Sequence, residues 1–286
     1  MKLGISGSTG VLGKTLIHEL DSSFSILPFK GDIRNQNEIA KWLKKCGNIS
    51  AIIHLAAVVP TKEVENNPWK AFDINVGGTC KIMNEIGKYY SDKELKPWIF
   101  LASTAHVYRS TNKTISEGHD IDPINTYGLT KYQAEKWAQL FCNKYSLPLC
   151  VGRIFSFSSP IQKIPYFVPT MVELIKSSSI GMEINIPGLN GFRDFLTARQ
   201  VAKIMIALLN VRSIGIYNIG SGIATSLLDV VLRLAEILSR DDLVIKVSNN
   251  ETHHIVANIN KLNSVIGEVP FSEIDKFLSE VILNDE

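Results

Sequence analysis

A doubly wound α/β fold, a parallel sheet with helices on both faces and a smaller C-terminal lobe, is what this sequence predicts, and three observations predict it. The first is an opening strand, glycine-rich turn and helix over residues 2–20. The second is a set of near-continuous apolar runs, Ala51–Val59, Trp98–Ser103 and Leu149–Phe155, of the kind strands buried on both faces show. The third is a late return to the same grammar, with strand Ile216–Ile219 and turn Gly220-Ser221-Gly222 before a helix from Ser226.

Composition agrees and excludes several function classes. The chain has 286 residues, 45% of them hydrophobic, enough for a full core. Thirty Lys and Arg against 28 Asp and Glu give a net charge of +2, with no basic run to mark a nucleic-acid footprint. Cys46, Cys80, Cys142 and Cys150 are scattered without CxxC pairing or zinc-ligand spacing, so neither a disulfide nor a metal is expected. Met1 leads directly into a strand, and no segment reaches the ~18 apolar residues of a membrane span, so no leader, no membrane association and a cytoplasmic location are expected.

In chain order, the strand Lys2–Ser6 runs into Gly7-Ser8-Thr9-Gly10-Val11-Leu12-Gly13 and then a helical pattern. Glycines there let backbone approach a pyrophosphate, and the helix N-terminus offers it unpaired N–H groups. A second strand, Phe24–Phe29, is followed by Lys30-Gly31-Asp32-Ile33-Arg34. Asp32 lies at roughly the ~20-residue offset of a ribose-binding acid, whereas Lys30 and Arg34 would welcome a 2′-phosphate, which favours NADP over NAD. His54, inside an apolar run, reads as a core histidine.

Tyr127-Gly128-Leu129-Thr130-Lys131 opens a helix, and a Tyr and a Lys four apart share one helix face. An ammonium beside a phenol stabilises the phenolate and moves its pKa from ~10 toward neutrality, where it serves as an acid–base catalyst.

The glycine turn, Ser103-Thr104-Ala105-His106-Val107-Tyr108 and the Tyr127/Lys131 pair together resemble the extended short-chain dehydrogenase/reductases, the family of nucleotide-sugar epimerases, dehydratases and reductases. The resemblance implies a Rossmann domain over 1–155 with a return segment near 195–220, and a substrate lobe from 156–194 and 221–286. It makes Ala51–Val59 the family's fourth strand, with Leu55, Ala56 and Ala57 facing cofactor, and gives Asn75 a structural role. Thr104 becomes the catalytic hydroxyl with Ser103 as reserve, Lys131 also holds the nicotinamide ribose, and Asp32 and Ile33 alternatively cradle adenine. His106 is placed against the substrate, although an exposed loop histidine is the plainer reading. Dehydratases of the family carry an Asp-Glu pair where Ala105 and His106 stand, which argues against dehydration.

Beyond the catalytic helix, the family's Arg-x-x-Asn-Val-Tyr-Gly-Pro becomes Arg153-Ile154-Phe155-Ser156-Phe157-Ser158-Ser159-Pro160, so Ser156 replaces a diphosphate-contacting Asn. Phe167-Val168-Pro169 should begin a helix walling the pocket, and Arg193, in Arg193-Asp194-Phe195, is the expected diphosphate ligand, suited by its fork of donors. A second Arg usual before Asn258 is absent, and Thr252-His253-His254 stand nearby. The expectation is an enzyme reducing a 4-keto-6-deoxy nucleotide sugar at C4 with NADP or NAD, and the family also allows a homodimer. The alternative is a nucleotide-sugar 4-epimerase with retained NAD, and a non-catalytic dinucleotide-binding scaffold stands behind both.

Overall fold

The computed structural model describes residues 1–59, 61–248, 254–268, 271 and 274–282. The first part of the chain alternates strand and helix: β1 (Lys2–Ser6), α1 (Val11–Glu19), β2 (Ser25–Phe29), α2 (Gln36–Cys46), β3 (Ala51–His54), α3 (Thr61–Asn66), α4 (Pro68–Phe72), α5 (Thr79–Tyr90), β4 (Trp98–Thr104), α6 (Thr126–Tyr145) and β5 (Leu149–Ile154). The second part carries β6 (Ser156–Ser158), α7 (Phe167–Ser177), β7 (Glu183–Pro187), β8 (Phe192–Arg193), β9 (Phe195–Thr197), α8 (Ala198–Asn210) and β10 (Gly215–Ile219). It ends with β11 (Thr225–Ser226), α9 (Leu227–Ile237), β12 (Val244–Ser248), β13 (His254–Ile255), α10 (Asn260–Ile266) and α11 (Ile274–Ile282).

Six parallel strands form the main sheet in the order β10-β5-β4-β3-β1-β2. Successive residues of one strand feed opposite cores: Ile53 and Phe100 pack with Leu16, Val201 and Met205, whereas Ile52 and Ile99 pack with Leu43, Ile82 and Ile86. Burial on both faces is why these strands read as continuous apolar runs rather than alternating ones. A third core, built on Val168, Ile175, Ile184, Val230, Val231 and Leu278, belongs to the smaller lobe. The chain returns from that lobe through α8 to β10, which pairs with β5.

One count is corrected. The strand expected as the fourth is the third, because α2 leads directly from β2 to β3 with no strand between them. Strand order reverses between β1 and β3, and the crevice outside the carboxyl ends of strands at such a switch point is where ligands of open α/β sheets bind.

Candidate active site

A cleft of about 1280 Å³ opens at that crevice. Its walls are the turn after β1, the segment after β3, the end of β4, the start of α6 and the lobe segment from Ser156 to Val168, with Arg193 and Phe195. Gly7, Gly10, Val11, Leu12, Gly13, Leu55, Ala56, Ala57, Thr104, His106, Tyr127, Lys131, Ser156 and Arg193, all anticipated from sequence, line it together.

The turn after β1 has the shape a dinucleotide phosphate needs. Gly7 sits at φ +75° with a Cβ position only 2.6 Å from the Ala56 nitrogen, so a side chain there would force β1 and β3 apart. At Gly10 an added Cβ would meet only the Gly7 oxygen at 3.5 Å and would otherwise project into open space beside α1. No side chain caps α1 and its first turn carries no acid, leaving its N–H groups and partial positive charge for an anion. These features fit a dinucleotide, with Gly7 to Gly13 holding its phosphates and Leu55 to Ala57 walling it; when bound, its reduced nicotinamide would supply hydride.

The acid expected to meet the adenosine end is otherwise engaged. Asp32 binds Arg34 through Oδ2 at 2.6 Å, and Arg34 reaches Asp73 at 3.5 Å. The Arg34 contacts hold the Asp32 carboxyl at about 2. Ile33 is buried, packed on Gly78. Lys30 is exposed where β2 ends and lines a separate groove with Lys41, Trp42 and Lys45. None of the three lines the main cleft.

Asn75 is a clamp. Its Oδ1 accepts from Val58 N at 2.7 Å, and its Nδ2 donates to Val58 O at 3.0 Å and to Thr130 Oγ1 at 3.1 Å. The segment after β3 is thereby tied to α6, one residue from Lys131. His54 is a core histidine, bridging Ser6 Oγ at 2.5 Å and Thr79 Oγ1 at 3.0 Å, and burial pulls it down to about 3.

Helix α6 starts at Asn125, whose side chain accepts from Gly128 N at 2.8 Å. An added Cβ at Gly128 would lie 2.2 Å from the His106 oxygen, so this glycine lets the helix press against the loop after β4. That approach brings Tyr127 beside Thr104, whose hydroxyl draws the phenol's pKa down. His106 is edge-on to the Tyr127 ring with centroids 5.9 Å apart, and its Nδ1 lies 3.0 Å from Asn125 Nδ2. It is a fixed, half-buried group lowered to about 4 by desolvation and by Arg193, not the exposed loop histidine of the plainer reading.

Two expectations are corrected. Tyr127 was expected to titrate toward neutrality, but burial and the nearby Tyr166 push it above the ordinary phenol value. It therefore holds its proton at neutral pH. Ser103 was the reserve hydroxyl, but its Oγ donates to the buried Glu135 carboxylate, which also takes both arms of Arg153 at 2.7 and 3.1 Å.

Burial lowers Lys131 from 10.5 to about 8, opposed by Glu135. The lowered value means the fold disfavours the ammonium: the cost is fully present below about 8 and is relieved as pH rises toward 10.5. Lys131→Met should therefore raise the melting temperature at pH 7 while removing activity, and wild-type kcat/KM should fall as pH passes about 8. A melting temperature that drops in Lys131→Met would contradict this account.

Arg193 reaches the cleft because its neighbour is the anchor. Asp194, fully buried, accepts from Ser221 N at 2.6 Å, Gly222 N at 2.8 Å and Ala257 N at 3.1 Å. Burial lowers the Arg193 pKa, a cost that a bound anion would reverse.

Sequence reasoning missed Ser158, Gln162 and Tyr166 as cleft residues, although Ser158 was visible as a departure from the family's Tyr and Tyr166 precedes the helix flagged as a wall. Thr252 and His253 lie outside the described residues. Among the described residues, no helix is long and apolar enough to cross a membrane.

Comparison with known proteins agrees with this geometry. The family model described as GDP-mannose 4,6 dehydratase matches residues 12–275. The UDP-glucuronate 4-epimerase of Thermodesulfobacterium geofontis is 28% identical over 72% of this chain, which spans 62% of that relative's length. The NADPH complex of RMD from Pseudomonas aeruginosa superposes with a TM-score of 0.86 at 20% identity, covering 99% of this chain and 98% of that one. MoeE5 in complex with UDP-glucose and NAD gives 0.82 at 23% identity, over 99% and 98% of the two chains. The fold, the cleft and a family match through nearly the whole chain lead to one conclusion: the protein is an enzyme of the GDP-mannose 4,6-dehydratase family, within the extended short-chain dehydrogenase/reductases.

Proposed function

We propose that this enzyme uses NADPH to reduce a 4-keto-6-deoxy nucleotide sugar at C4. The observation that carries the proposal is the placement of Tyr127: a buried phenol beside the Thr104 hydroxyl, in a cleft walled by both the glycine turn and the lobe. Reduction needs a proton donor at the carbonyl oxygen, and a neutral phenol is one. Thr104 holds the same oxygen, Lys131 supports the phenolate left after transfer, and Arg193 holds the diphosphate. Carbonyl and reduced nicotinamide become alcohol and oxidised nicotinamide, with one proton taken up through Tyr127. Dehydration is not part of this reading, because Ala105 has no titratable group and His106 is committed to Asn125.

NADPH is favoured over NADH because Lys30, rather than a carboxylate, follows β2, with Lys41 and Lys45 close by. Lys30→Asp should weaken NADPH binding ~10-fold more than NADH binding, since it replaces attraction for a 2′-phosphate with repulsion. Equal losses in a fluorescence titration would take Lys30 out of that role. Arg193→Ala should raise KM ~10–100-fold with little change in kcat, because a diphosphate far from the reacting carbon is held alike in ground and transition states. An unchanged KM in steady-state assays would count against it. Exposed Leu129, Trp137 and Leu140 on α6 support a homodimer contact.

The second reading, C4 epimerisation with retained NAD, is favoured by the 4-epimerase relative. Absorbance of reduced nicotinamide separates the two. One-for-one consumption of NADPH with a keto-sugar nucleotide supports reduction. Interconversion of a hexose nucleotide with its C4 epimer at constant absorbance, with no keto sugar consuming NADPH, would establish the alternative.

A further inference from the structure

We infer that Ser158 and Gln162 form a subsite that holds one hydroxyl of the substrate's sugar and selects substrates that carry it. The inference rests on the nucleotide-sugar reading above and adds the part of the ligand that the lobe reads.

Both side chains are buried, Ser158 at 1% and Gln162 at 6% exposure, and both line the cleft. Neither Ser158 Oγ nor Gln162 Oε1 has a hydrogen-bond partner. Orphaned polar atoms at such depth are uncommon and call for a partner. Here two of them belong to residues four apart in the chain that line the same large cavity. Their positions are set by the fold. Ser158 is the last residue of β6, in register with Thr197 of β9, and Gln162 N donates to Ser159 O at 3.0 Å. Gln162 Nε2 points at Phe157 O, 3.5 Å away, which orients the amide so that its oxygen is the free atom.

The chemistry of the pair specifies the ligand. An amide oxygen only accepts, whereas a serine hydroxyl both donates and accepts. A sugar hydroxyl satisfies both at once, donating to Gln162 and accepting from Ser158. The lobe departs from the family pattern at this place, since Ser158 stands where the quoted motif has Tyr. The exchange puts a small side chain with a hydrogen-bonding atom where the motif has a phenol ring. A site built to hydrogen-bond a hydroxyl rejects the analogue lacking it more strongly than an apolar pocket rejects an extra group.

The test is equilibrium calorimetry on the full chain. UDP-, dTDP-, GDP- and CDP-glucose identify the tightest nucleotide, which is then compared with its free nucleoside diphosphate and its 2-deoxy, 3-deoxy and 6-deoxy glucose analogues. One deoxy analogue should bind wild type about 10-fold more weakly than the parent. Ser158→Ala and Gln162→Leu should each weaken the parent by a similar factor, yet bind that analogue and the free diphosphate as wild type does. Unchanged diphosphate affinity also certifies that each variant is folded. If no analogue separates wild type from the variants, or if diphosphate affinity falls in parallel, the pair serves structure or a trapped water and the inference is wrong. If none of the four sugars binds, the nucleotide-sugar reading falls first and takes this subsite with it.

Discussion

Tyr127→Phe should lower kcat by roughly 10²–10⁴ while leaving cofactor affinity nearly unchanged. The substitution removes one oxygen from a ring whose position is set elsewhere. His106 meets the ring edge-on, and Val64 and Ala71 pack against it, so the phenylalanine ring keeps its seat. What disappears is the proton that burial retains on the phenol, and with it the group that neutralises the developing alkoxide. Thr104 still offers a hydrogen bond but cannot complete the transfer, which is why the expected loss stops short of abolition. Single-turnover absorbance with a saturating keto-sugar nucleotide reads the chemical step directly. A rate within threefold of wild type would mean that another group protonates the oxygen. Tyr166 would then be the first place to look, since it lines the same cleft close enough to raise the Tyr127 pKa.

How much of this was legible before the fold was known depends on the range over which each property is determined. The strands β1, β3, β4 and β5 were visible because burial on both faces writes itself into consecutive residues. The shared face of Tyr127 and Lys131 was visible because helical spacing is local. Their titration was not, because it depends on how deeply α6 is pressed against the loop after β4, through the Gly128 contact with His106. Ser103 looked interchangeable with Thr104 because the residue that distinguishes them, Glu135, lies 32 positions later. The charge of Lys30 was legible but the groove it shares with Lys41 and Lys45 was not, since that follows from α2 packing beside the edge strand β2. The unpartnered atoms of Ser158 and Gln162 are of the same kind: an absence of partners is a property of the folded neighbourhood and leaves no mark in sequence.

Arg153→Met should destabilise the protein by about 3–5 kcal/mol, because it strands the Glu135 carboxylate in the core. The two side chains are 4% and 1% exposed and meet through two hydrogen bonds, with Ser103 donating to the same carboxylate. Arg153 also stacks over the Tyr108 ring, 4.7 Å from its centroid, and Tyr108 Oη donates to Asn218 Oδ1 at 2.6 Å. The pair therefore links β4, β5, β10 and α6 close to Thr104 and Lys131. Removing the cation leaves Glu135 with Ser103 and, one helical turn away, the Lys131 ammonium. A carboxylate freed from Arg153 favours protonated Lys131 more strongly, so the alkaline limit of activity should move to higher pH in any folded fraction. Pairing the change with Glu135→Leu should recover most of the stability, since an apolar pair of similar volume carries no desolvation cost, yet it should not restore the wild-type pH profile. Urea midpoints for the wild type, Arg153→Met and the double variant measure the first effect, and kcat/KM against pH measures the second. Loss of less than about 1 kcal/mol in the single variant would show that water reaches Glu135 and that the pair is not the support on which α6 is set.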